Sequence, residues 1–177
     1  MPDVAIHPLA SSPAIRDALA ELLVETVAHG GSVSFMHPLP LDVARAFWEG
    51  ALAAAERAER VVFGATVEGE LVGTVTLILD LPPNQPHRAE IAKMMTRVAN
   101  RNQGIASTLL RAAEAEAVAR GRSLLVLDTA SDGGAARLYE SLGFTFAGEL
   151  PDYALKPHGG LTGTRLYWKQ IAPHCVD

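Results

Sequence analysis

The run at residues 123–128 (SLLVLD) constrains the fold of this chain more than any other stretch. It is almost continuously apolar, with no alternation of polar and apolar positions. A strand of that kind is buried on both faces, so it belongs in a sheet covered by helices on two sides. Upstream, Ala106, Leu109, Leu110, Ala113 and Ala117 fall on one stripe of a helix over about 103–120, and Gly121 suits its end. Residues 88–98 before that helix read as extended. Strand, helix and strand in this order predict a right-handed parallel crossover.

The rest of the chain fits around this unit. A short strand is expected at 4–8. Ser12 and Pro13 open a helix that runs to about His29, with Ser12 as N-cap and proline where a missing N–H costs nothing. Residues 31–40 (GSVSFMHPLP) show no period and read as a loop or edge piece. A second helix is expected over about 41–60. Residues 61–67 and 71–79 read as an antiparallel hairpin around a turn at 68–70. Pro82, Pro83 and Pro86 interrupt regular structure. A short helix at about 134–142 and strands at 144–149 and 164–171 complete the order β-α-α-β-β-β-α-β-α-β-β. The class is α/β, with a mixed, partly antiparallel sheet of about seven strands flanked by about four helices, and 1–177 read as a single domain.

Composition narrows the function. The net charge of −5 and the absence of a Lys/Arg block argue against nucleic acid. No stretch approaches the ~20 apolar residues of a membrane span. Residues 1–4 lack a basic and apolar leader, so the expected location is the cytoplasm. The single cysteine, Cys175, cannot close an internal disulfide and reads as a tail residue. The six histidines (His7, His29, His37, His87, His158 and His174) show no metal-ligand spacing, so no metal is expected.

The chemistry concentrates at Arg101, Asn102, Gln103, Gly104, Ile105 and Ala106, where a strand gives way to a helix. A helix N-terminus offers unpaired N–H groups and partial positive charge, which bind phosphate without a side-chain cation. Gly104 allows close approach of a bulky pyrophosphate, Ile105 can anchor the helix to the sheet, and Ala106 and Ser107 keep the first turn small. A plain strand-to-helix turn that happens to hold a glycine is the alternative. Neither G-x-G-x-x-G nor a P-loop is present, which argues against NAD and ATP.

Residues 101–106 match the [QR]-x-x-G-x-[GA] motif of the GNAT superfamily of acetyltransferases, and residues 135–144 (AARLYESLGF) resemble its second signature. Residues 22–36, 88–95 (RAEIAKMM) and 148–153 (GELPDY) are similar to the tabtoxin-resistance type. The resemblance implies acetyl-CoA as co-substrate and a primary amine of a small molecule, such as an antibiotic or toxin, as acceptor. It puts the pyrophosphate on the backbone of Asn102, Gln103, Gly104, Ile105, Ala106 and Ser107, beside Arg101. It puts the pantetheine arm beside Met95, Thr96 and Arg97.

An alkylamine is mostly protonated at neutral pH, so a general base is useful. Glu90 stands eleven residues before Arg101 (101 − 90), where histone-type relatives carry their catalytic glutamate; otherwise it is an edge charge. Asp128, at the end of the apolar strand, is the second candidate, as base or as holder of the ammonium group; otherwise it caps the next helix. Tyr139 matches the family's general acid. Asp132 stands where many relatives carry asparagine; it can cap the helix, but a carboxylate cannot donate to the cofactor. Phe35, Met36 and Tyr153 are candidates for lining the acceptor pocket, whereas Trp48 reads as core. Two further readings stay open: an acyl-CoA-binding module without turnover, and a protein or peptide N-acetyltransferase. A homodimer through the C-terminal strands fits either enzyme reading.

Overall fold

The computed structural model describes residues 3–172; Cys175 and His174 lie outside them. Seven strands run β1 (Val4–Pro8), β2 (Arg60–Val67), β3 (Glu70–Ile78), β4 (Arg88–Thr96), β5 (Leu124–Ala130), β6 (Thr145–Leu155) and β7 (Leu161–Gln170). Four helices, α1 (Pro13–Ala28), α2 (Leu41–Glu56), α3 (Ile105–Ala119) and α4 (Ala136–Ser141), lie between them in the predicted order. The strands form one sheet in the spatial order β1-β2-β3-β4-β5-β7-β6. Only β4 and β5 are parallel, as the crossover through α3 requires; every other pair is antiparallel.

Local signals account for many of these elements. Ser12 caps α1, its hydroxyl accepting from the Ile15 N–H at 3.2 Å, and proline occupies the first turn. The sheet separates two apolar clusters. One face carries Val61, Phe63, Leu77, Ala89 and Ile91 against Leu109, Leu110 and Ala113 of α3. The other carries Val62, Leu71 and Met95 against Leu19, Leu22 and Leu23 of α1 and Trp48 of α2. Trp48 is fully buried, as expected.

Several boundaries differ from the sequence reading. The second helix stops at Glu56, and strand β2 starts at Arg60. Strand β4 stops at Thr96, and Val98–Asn100 make one turn of 3₁₀ helix. Helix α3 begins at Ile105, so Gln103 belongs to the loop. Strand β6 runs to Leu155, past the expected end at 149, because pairing with β7 carries it through two register shifts.

Candidate active site

Strands β4 and β5 pair only between Arg88–Glu90 and Leu124–Val126. Beyond that point β4 stays with β3, while Leu127 to Ala130 of β5 pair with β7. The sheet therefore forks, and the edge of β4 from Ile91 onward has no strand partner on that side. Unpaired strand edges present N–H and C=O groups that need an acceptor or donor. A cleft of about 1110 Å³ fills the fork, reaching from the start of α3 to residues 29–36 and the β6–β7 hairpin.

At one end lies the predicted loop. Asn102 (φ +61°) and Gly104 (φ +79°) both adopt left-handed backbone, and Gly104 caps α3 with no side-chain contribution. Successive turns of this kind aim N–H groups into one concavity. No acceptor among the described residues takes the N–H groups of residues 102–107. An added Cβ on Gly104 would point into open space. The loop is held at its base: Ile105 is buried, and it sits so near Gly73 of β3 that a Cβ there would lie 3.0 Å from the Ile105 Cγ2 and 3.1 Å from the Met95 carbonyl. Glycine at 73 is thus a condition for seating α3 on the sheet. Arg101, Asn102, Gly104, Ile105, Ala106 and Ser107 line the cleft, as do Met95 and Thr96.

Two residues grouped with them by sequence face elsewhere. Gln103 does not line the cleft; its amide donates to the Ala99 carbonyl at 3.3 Å. Arg97 turns its guanidinium to α1, donating to Glu25 at 2.7 Å and to the Leu71 carbonyl at 3.0 Å, while its N–H donates to the Val72 carbonyl. Glu25 also accepts from the Val98 N–H at 2.7 Å. Burial works against the Glu25 carboxylate, but these two donors hold its pKa below the usual value.

The candidate acid–base groups occupy distinct positions. Tyr139 of α4 lines the cleft, packs edge-on against Phe144 at 5.9 Å, and is only 5% exposed. Burial, with a lesser contribution from Asp128, pushes its pKa up to about 12, so the hydroxyl remains a proton donor across the neutral range. Asp128 is exposed to the cleft and its Oδ2 accepts from the Thr164 hydroxyl at 2.8 Å. Glu90 occupies the last rung of the parallel ladder, at the apex of the fork, and does not line the cleft. Its carboxylate lies 3.5 Å from the Arg88 guanidinium.

Asp132 lines the cleft but does not cap α4, whose N-cap is Ala135. It accepts from the Thr162 hydroxyl at 2.9 Å and faces the Lys156 ammonium at 3.3 Å. Those hydrogen bonds, Thr162 foremost, depress its pKa. Asp132 thus fastens the loop after β5 to the β6–β7 hairpin.

Phe35, Met36 and Tyr153 line the far end of the cleft. The segment that carries the first two is tied across to the hairpin: the His37 N–H donates to the Pro157 carbonyl at 2.9 Å, and the His37 and His158 rings lie 4.4 Å apart. Sequence reasoning missed Lys93, Thr164 and Lys156 in the lining. The one available signal for Lys93 was a lysine inside the run IAKMM, where a buried strand favours apolar residues. No group of three or more histidine, cysteine or acidic residues among the described residues is arranged to hold a metal ion. Among the described residues no helix is long and apolar enough to cross a membrane.

Residues 20–144 match the family described as the acetyltransferase (GNAT) family. Among solved structures, an N-acetyltransferase from Staphylococcus aureus Mu50 superposes with a TM-score of 0.80 at 21% identity, covering 96% of this chain and 99% of that one. A ribosomal-protein-alanine N-acetyltransferase from Brucella melitensis gives 0.78 at 21% identity, over 94% and 99%. An aminoglycoside 6'-N-acetyltransferase complexed with coenzyme A gives 0.74 at 20% identity, over 96% and 98%. At such identities the likeness establishes a common fold, and the acceptors named differ between these proteins.

Proposed function

The chain belongs to the acetyltransferase (GNAT) family, and on that premise we propose that it transfers acetyl from acetyl-CoA to the primary amine of a small molecule. The observation that carries this reading is the fork itself: an unpaired β4 edge that leads to a row of N–H groups with no acceptor at the start of α3. The pyrophosphate of acetyl-CoA takes the N–H groups of residues 102–107. The pantetheine arm lies along the β4 edge beside Met95 and Thr96, pairing as an added strand would. Arg97 serves this arrangement only by holding the end of β4 to α1.

The amine attacks the thioester carbonyl directly. No cysteine among the described residues, and no paired serine and histidine, lines the cleft to form an acetyl-enzyme. An N–H of the open β4 edge faces the oxyanion that develops. Of the two cleft carboxylates Asp132 is paired with Lys156 and Asp128 has no ion-pair partner among the described residues, so the reading gives Asp128 the incoming ammonium group. Glu90, set back at the apex, draws the proton away through water. Tyr139, protonated at neutral pH, donates to the departing thiolate.

Small size of the acceptor is supported by the tie between residues 37 and 157–158, which closes the far end against an extended peptide. An antibiotic or toxin acceptor, a cytoplasmic setting, and pairing of two copies along β6 belong to the same proposal. The decisive experiment is incubation with acetyl-CoA and a broad amine panel, reading free thiol. Amine-dependent thiol release supports transfer. Tight acetyl-CoA binding with no release from any amine would identify a binding module instead, and release only with peptides would move the acceptor to protein.

A further inference from the structure

The acceptor side of the cleft holds a cation that the acetyl-transfer chemistry does not use. Strand β4 gains one residue relative to β3: Ala92 pairs with Thr76, while Met95 pairs with Thr74. The bulge falls at Lys93, whose φ of +51° places a long side chain in left-handed backbone. Such conformations cost free energy in non-glycine residues and persist where the surrounding structure enforces them. Bulges of this type re-aim a side chain. Here the ammonium reaches the Ser34 hydroxyl at 2.9 Å and lies 5.6 Å from the centre of the Phe47 ring. Ser34 is itself left-handed, at φ +78°.

No carboxylate among the described residues lies within ion-pair distance of Lys93. The other lysine of the cleft, Lys156, is bound to Asp132, and Arg101 sits at the opposite end, on the α3 loop. Burial lowers the pKa of Lys93, and Asp128 partly offsets that loss. A desolvated ammonium with donors to spare gains most from a second charge brought in by a ligand.

We infer that Lys93 receives an acid group of the acceptor, so that the acceptor is an amino acid-like zwitterion with a carboxylate, or another acid, close to the amine that is acetylated. The inference rests on the acetyl-transfer reading and narrows it. Lys93 takes the anion, Asp128 across the fork takes the ammonium, and Phe35 and Tyr153 enclose what lies between. The two charges set the orientation in which the nitrogen faces the β4 edge, so an amine without the acid loses binding on one side only.

The test compares an α-amino acid with its carboxamide, which keeps shape and amine but removes the negative charge. Initial rates with acetyl-CoA give kcat/KM for each, and calorimetry on the CoA-loaded protein gives their affinities without turnover. The wild type prefers the acid, and Lys93→Met reduces the acid-to-amide ratio by about 10–100-fold, the value of a hydrogen bond to a charged group. Lys93→Arg recovers most of that ratio, which a merely structural lysine would not require. A wild type that favours amides, or a Lys93→Met change that lowers acid and amide alike, overturns the inference while transfer to other amines leaves the acetyltransferase reading intact. Absence of thiol release with every amine, together with no acid preference in the calorimetry, ends both.

Discussion

Gly104 offers the sharpest separation of backbone strain from phosphate recognition. Its φ is +79°, and a Cβ built there meets nothing within 4 Å. Alanine and glutamate at this position therefore share one cost in the free protein, the left-handed conformation, at about 1–2 kcal/mol. For a chain of this length that lowers Tm by roughly 2–8 °C in both variants. They part company only when a ligand is present. A carboxylate about 6 Å from a phosphate, at an effective dielectric constant near 20, is repelled by about 3 kcal/mol, on the order of 100-fold in Kd. Isothermal titration with CoA at low salt should find Gly104→Glu weaker than Gly104→Ala by that margin, and added salt should narrow the gap. Equal affinities in the two variants, with equal melting points, would refute the placement of the pyrophosphate at the start of α3.

Glu90→Gln should reduce kcat more at pH 7 than at pH 9.5, where a larger share of the amine is already free base, while Asp128→Asn should act chiefly on KM for the amine; a Glu90→Gln profile parallel to wild type assigns the proton to Asp128. Glu25→Ala leaves the Val98 N–H unpaired and takes from the Arg97 guanidinium its nearest carboxylate, leaving it the Leu71 carbonyl and the more distant Glu21, and should cost about 1–3 kcal/mol at neutral pH. The folded-state pKa of Glu25 is depressed, so this contribution is present above the unfolded-state value near about 4.3 and is lost as pH falls through the folded value. The gap between wild-type and Glu25→Ala melting temperatures should consequently close on acidification, and a constant gap would show that the carboxylate charge is not what holds Arg97.

The features legible in the sequence were those set by neighbouring residues. The cap at Ser12, the hairpin around 68–70 and the stripe of α3 each follow from spacing within one or two turns or strands, whereas β5, expected to be buried on both faces, buries only the alternate residues Leu125 and Leu127 because its other face opens toward the cleft. The order of elements followed in turn. What escaped depends on contacts between distant segments. The direction of Arg97 is decided by Glu25, 72 residues away. Asp132 looked like a helix cap because it precedes a helix, yet Thr162 and Lys156 bind it from a hairpin that the local sequence does not place. Strand β6 continues past Glu149 because β7 offers partners, not because its own residues demand it. At the site, Asp128 and Tyr139 were found in the lining, whereas Lys93 was not foreseen, since a strand read by alternation has no slot for an extra residue.

That extra residue also changes how β4 counts. Before it, odd-numbered positions (Ala89 and Ile91) join the α3 side; after it, Met94 packs toward that side and Met95 joins α1 and α2. The strand carries two patterns of opposite parity, spliced at Lys93. Removing one residue here would not trim a loop. It would restore an unbroken pleat with Met94 still toward α3 and Met95 still toward α1 and α2, whereas flattening the strand with Lys93 kept would exchange those two faces down to Thr96. The cofactor edge and the acceptor wall are therefore written in different phases of a single strand, and Lys93 is the residue that lets both phases fit one sheet.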